Sequence, residues 1–124
     1  MNPRLGARVI AIGRVAFGAG LLIAPGRIGA GWLGDIAERG AMRHVLRGFG
    51  VRDVVIGMIA MHTVDNPQVG PRWQKTCAAC DAVDAVGALM AARDLPLRGA
   101  LGVALLGGGA AAAGLWCAGQ LAAG

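Results

Sequence analysis

Two short stretches place charges inside otherwise apolar sequence. "GVRDVVIG", Gly50 to Gly57, sets Arg52 beside Asp53, and "CDAVDAV", Cys80 to Val86, carries Asp81 and Asp84. Guanidinium and carboxylate groups in such segments can do three kinds of work. They can neutralise one another and so fix helix order, relay a proton between paired carboxylates, or line a pocket for an ion or polar ligand. Arg14, inside the first apolar block, and Arg47, in the same block as Arg52 and Asp53, complete a set of three cations and three anions whose charges sum to zero. An unpaired charge at a bilayer centre costs about 2.5 to 3.5 kcal/mol on insertion scales, so six would cost roughly 15 kcal/mol or more, beyond a typical folding free energy. The expectation is therefore an intramembrane charge network of Arg14, Arg47, Arg52, Asp53, Asp81 and Asp84.

Helical geometry arranges part of this network. With Gly50 at the front of its helix, Arg47 and Asp53 lie about 60° to either side and Gly57 almost in front, which makes one small, ionic face. Arg52 points nearly opposite and must meet a different helix or snorkel to an interface. Cys77, Cys80, Asp81 and Asp84 follow at i, i+3, i+4 and i+7, with Ala88 continuing the stripe, so both carboxylates address the same neighbour. Arg14 is the natural third partner.

The thiols offer a second chemistry. Cys77 and Cys80 form a C-x-x-C pair, with Cys117 the only other thiol. No thioredoxin-like strand pattern or C-x-x-C-H haem site accompanies them, and packing is the favoured reading over redox exchange. A zinc site would recruit Cys77, Cys80 and Asp81, but His44 and His62 lie at opposite ends of one helix and at most one could join, so no metal is expected. No H-E-x-x-H, G-x-S-x-G, G-x-x-x-x-G-K or G-x-G-x-x-G pattern occurs, and no cofactor is expected.

These residues sit in a chain of 124 residues that is 56% hydrophobic, only 4% aromatic and without tyrosine, with 22 glycines. Its mean hydropathy of +0.58 exceeds what one soluble core needs. The net charge of +5 comes from basic residues scattered singly, with no Lys/Arg cluster or aromatic platform, which argues against nucleic acid. Four apolar blocks follow, at about residues 5–24, 45–63, 76–92 and 99–118, punctuated by "PGRIGAGWLGDIAERG", "DNPQVGPRWQ" and "RDLPLR". Within the last, Leu101 to Ala118 carries no charge and would rise about 27 Å as a helix, close to the hydrocarbon thickness. The predicted architecture is one all-α domain, residues 1–124, a four-helix transmembrane bundle.

Arg4 and Arg8 ahead of the first block also fit a secretory signal, but Arg14 interrupts its apolar run and no clean cleavage site follows, so an uncleaved first helix is expected. Ile28, Trp32 and Ile36 recur every four residues and suggest a short interfacial helix between the first two spans. All three tryptophans, Trp32, Trp73 and Trp116, fall at predicted span ends, where an amphipathic indole anchors best. The Lys/Arg counts on the two faces are nearly balanced. Gly6, Gly13 and Gly20 repeat at seven and offer a smooth ridge for close helix approach, and the glycine-rich fourth helix is a candidate self-association face.

"GRVAFGAGLLIAP", "RGFGVRDVVIG" and "CDAVDAV" together give the chain, over nearly its whole length, the look of a group of small four-helix bacterial membrane proteins. That group is well represented in actinobacteria and is known only as a domain of unknown function. The resemblance implies the fold and the membrane location and carries no activity or catalytic residue with it. The chain also resembles the DoxX-like four-helix proteins in architecture alone. The expected role is a non-enzymatic structural or accessory protein of the cell membrane, in contact with the lipid bilayer, as a homo-oligomer or within a larger complex. A small transporter or proton-coupled carrier using Asp81 and Asp84 is the alternative. A thiol- or quinone-linked redox protein using Cys77 and Cys80 is the third reading.

Overall fold

The computed structural model describes residues 2–124 and is 87% helical, with no strand among the described residues. Five helices form: α1 (Pro3–Ile23), α2 (Pro25–Leu33), α3 (Gly40–Thr63), α4 (Gly70–Met90) and α5 (Leu97–Ala123), with a 3-10 turn at Gly34–Glu38. α1 starts sharply because Asn2 Oδ1 accepts from the backbone N–H groups of Arg4 and Leu5 and Pro3 occupies the first turn. It ends where Pro25 opens α2. The expected interfacial helix over Ile28, Trp32 and Ile36 is thus two pieces. Gly34, at φ +74°, breaks it after Leu33 in a conformation other residues rarely adopt.

Two of the helices, α1 and α5, are long and apolar enough to cross a membrane. α3 and α4, with 24 and 21 residues, have the length but carry the charges. The four long helices pack as two antiparallel pairs, α1 with α3 and α4 with α5. The α1–α3 pair is a backbone contact. A Cβ on Gly18 would lie 2.5 Å from the Gly50 carbonyl oxygen, and a Cβ on Gly50 2.6 Å from that of Gly18. One heptad away on each helix, Gly57 meets Ala11 in the same way. The ridge expected at Gly6, Gly13 and Gly20 is interrupted at its middle. α1 buries Gly6, Ala7, Ala11, Gly18 and Leu21, and a Cβ on Gly20 would meet Ile28 of α2, whereas Gly13 faces open space.

The interior is layered along α1. Ala7 packs with Val64 and Cys117, then Ala11 with Ala60 and Cys77, and near the far end Leu21 with Leu46 and Ala37. Between the second and third of these apolar layers lies Arg14. Side chains inside are mostly small, and the large ones lie outside: Val9, Ile12, Val83, Leu105 and Leu106 are each more than half exposed.

Gly18→Ala and Gly50→Ala should each lower thermal stability in mild detergent by about 1 to 3 kcal/mol, because the new methyl meets backbone that cannot yield. Gly13→Ala has no atom within 4 Å of its new Cβ and should melt within about 0.5 kcal/mol of the parent.

Candidate functional site

Arg14 stands on the buried stripe of α1, one heptad from Ala7 and from Leu21, and only 7% of its side chain is exposed. α3 presents Asp53 to it from the stripe Leu46, Gly50, Asp53, Gly57 and Ala60. α4 presents Asp81 from the centre of Gln74, Ala78, Asp81, Ala85 and Ala88. Arg14 Nη1 donates to Asp53 Oδ1 at 3.1 Å and Nη2 to Asp81 Oδ1 at 2.5 Å. The planar guanidinium thus holds two carboxylates on two different helices, a geometry lysine lacks.

A second ion pair adjoins it. Arg52 donates to both oxygens of Asp84, at 2.7 and 3.4 Å, and Nη2 also lies 3.5 Å from Asp53 Oδ1. Its guanidinium carbon sits 4.5 Å from the centroid of the Phe49 ring, which in turn meets Trp32 edge-on at 5.6 Å. Asp53 is shared, so Arg14, Arg52, Asp53, Asp81 and Asp84 form one connected cluster.

Arg47 lies outside it, which corrects the expected six-member network. The buried stripe of α3 centres between Gly50 and Asp53, leaving Arg47 about 100° away on the opposite flank. There its exposed side chain reaches the Leu22 carbonyl at 3.4 Å, one of the unpaired carbonyls ending α1. The charge sum changes with it: two guanidinium groups face three carboxylates, one net negative charge.

The cluster borders a cavity of about 530 Å³ between α1, α2 and α5. Asp53, Asp81 and Asp84 line its inner end, and Ile10, Phe17, Val103 and Leu106 form apolar walls. Asp81 Oδ2 is buried with no hydrogen-bond partner, although Oδ1 of the same carboxylate is paired. Trp32, which lines the same space, likewise has its Nε1 buried and unpartnered. Trp32 is thus half-buried against Phe49. Trp73 lies in the first turn of α4 rather than before it, half-buried, and Trp116 is 42% exposed on α5.

Cys77 packs against Ala11 and Ala60, one turn from Asp81, while Cys80 is half-buried, and both thiols are free. Among the described residues no three His, Cys, Asp or Glu side chains gather where a metal could be held. His62 Nδ1 is 2.7 Å from the Met58 carbonyl of its own helix. Two participants escaped the sequence reading, Phe49 under the Arg52 guanidinium and Arg98 on the cavity lining, and neither had a signal in the sequence, since their roles depend on how the helices fold together. Gln74, 1% exposed, lies one heptad before Asp81 on the same buried stripe.

No protein-family model matches the chain, and no curated protein or solved structure does so. The geometry alone ranks the residues. Arg14→Gln leaves two buried carboxylates without their cation and should cost about 3 to 5 kcal/mol. Asp84→Asn, in a partly exposed pair, should cost about 1 kcal/mol. Arg47→Gln should change stability by less than about 0.5 kcal/mol. Unfolding of each purified variant in detergent measures the order. Cys77→Ala with Cys80→Ser should leave yield and oligomeric state unchanged, read by size-exclusion chromatography, whereas a redox role predicts a disulfide that forms and breaks with the poise of the buffer.

Proposed function

We propose that the chain is a multi-pass protein of the cell membrane in which all four long helices cross the bilayer, and that its role is structural or accessory rather than catalytic. The observation that carries the reading is the distribution of side chains. Alanine, glycine and paired charges fill the interior, and valine, isoleucine and leucine cover the outside. In water this arrangement would expose the area that drives folding. In lipid, where the hydrophobic effect does not pull helices together, small residues permit close packing and paired charges bind helices to one another.

The cluster lies near the midpoint of α1, α3 and α4, where the demand for pairing is greatest. Arg14 ties the α1–α3 pair to α4, and Arg52 ties α3 to Asp84 of the same helix. An arrangement in which each cation is held by two carboxylates suits a fixed scaffold, working as a homo-oligomer or within a larger membrane complex. The reading of a carrier using Asp81 and Asp84 draws support from one observation, that both residues line the cavity.

Four crossings return the chain to its starting side. Reporter fusions ahead of Asn2 and after Gly124 should therefore indicate the same compartment, and the protein should stay with membranes through alkaline carbonate extraction. Reporters on opposite sides would show that one charged helix does not cross. Release by carbonate would overturn the membrane reading altogether.

A further inference from the structure

The cavity between α1, α2 and α5 is unlike the rest of the interior, which is filled by small side chains. α1 and α5 touch where Ala7 meets Cys117. Towards the amino-terminal end of α5 the cavity lies between them, bounded beyond by Ile28, Gly31 and Trp32 of α2. Phe17 and Leu106 line it and are 45% and 77% exposed, so it is reached from the side, between α1 and α5. Its volume and its largely apolar walls with a few polar groups at one end are those of a small-molecule site.

The inner end has a definite electrical character. Asp53, Asp81 and Asp84 outnumber Arg14 and Arg52 by one, and Asp81, 8% exposed, keeps Oδ2 free of any partner. The one further cation on the cavity lining is Arg98, exposed in the first turn of α5. It makes no ion pair with Asp53, Asp81 or Asp84, whose salt bridges are to Arg14 and Arg52. A buried net negative charge under apolar walls is completed by a ligand that carries one positive charge on an apolar body.

We propose that this cavity binds an apolar organic cation, such as a protonated amine on an aromatic or aliphatic body, with the ammonium held by the carboxylates of Asp81 and Asp84 on the cavity lining and the body lying against Phe17, Val103 and Leu106. The ligand enters from the membrane between α1 and α5. The assignment rests on the membrane reading above but not on the structural role of the ion pairs.

The test uses the full chain purified in detergent and reconstituted in nanodiscs, with carbonate extraction run in parallel so that a failure of the membrane reading is seen separately. Dansylcadaverine is the cationic probe, and dansylamide, which lacks the aminopentyl arm, is the neutral control. Dansyl fluorescence should saturate with the cationic probe, and 5-phenylpentylamine should displace it while 5-phenylpentanol does not. Asp81→Asn should weaken binding about tenfold or more. Because Asp81 also serves Arg14, the deciding variants are Gly13→Leu and Gly102→Leu. Both positions line the cavity, and neither has an atom within 4 Å of a new Cβ, so the leucine fills the cavity while the charge cluster stays intact. Each should keep the parental melting temperature and lose saturable binding. Displacement by the alcohol as effective as that by the amine, no saturable binding by the parent, or undiminished binding in both leucine variants would overturn the proposal.

Discussion

The contact on which the arrangement of helices depends is the fork of Arg14 between Asp53 and Asp81. α1 and α3 fit together through their own backbones, and α4 and α5 do the same, while the first pair meets α4 through one thin apolar layer, Ala11 and Ala60 on Cys77, and through charge. A guanidinium 7% exposed with two carboxylates nearly as buried cannot be half assembled. Removing any one member leaves an opposite charge in a medium that does not solvate it. Register follows from the same demand. A shift of one residue on α4 turns Asp81 by about 100°, away from the only cation within reach.

Packing around that layer is economical in side-chain volume. Gly18 and Gly50 bring two backbones together at a separation no other residue permits, and the apolar layers use alanine and cysteine where a soluble bundle of this size would use leucine. Dispersion between closely apposed backbones replaces the burial of large side chains. This choice leaves most valines, isoleucines and leucines facing outward and confines the largest buried apolar side chains to Leu21 and Leu46 near the α2 end. There α2 folds back and Phe49 carries the guanidinium of Arg52 on its ring.

Rigidity of the cluster and availability of its charge are compatible, because a carboxylate fixed by one bond keeps lone pairs for another. Asp81 is held by Arg14 and Asp84 by Arg52, and both carboxylates line the cavity. A scaffold that fixes carboxylates at the end of a cavity presents their charge at a fixed position, which is how a binding group is preorganised. The odd charge of the cluster is the property that joins the structural and binding readings. With Arg47 included the charges would cancel and the cavity would have an uncharged inner end.

Periodicity and composition by themselves determined a good deal. An all-helical chain, helix ends at proline and glycine, small residues for close packing, and the need of Arg14, Asp53 and Asp81 for partners all follow from the order of residues, because helical geometry is local and the cost of an unpaired charge is general. Which charges meet was decided only by tertiary structure. Arg47 and Arg52 flank the same face of α3 and are alike in sequence terms; α4 covers one flank and leaves the other to the end of α1, so Arg52 enters the cluster and Arg47 does not. The approach of Gly18 to Gly50, with Gly13 turned outward from the expected Gly6, Gly13 and Gly20 ridge, has a similar origin, since the rotation of a helix about its axis is set by what it packs against. The cavity is the extreme case. It exists because α2 folds back beside α5 and α1 stands apart from them, a relation among three helices that no single helix encodes.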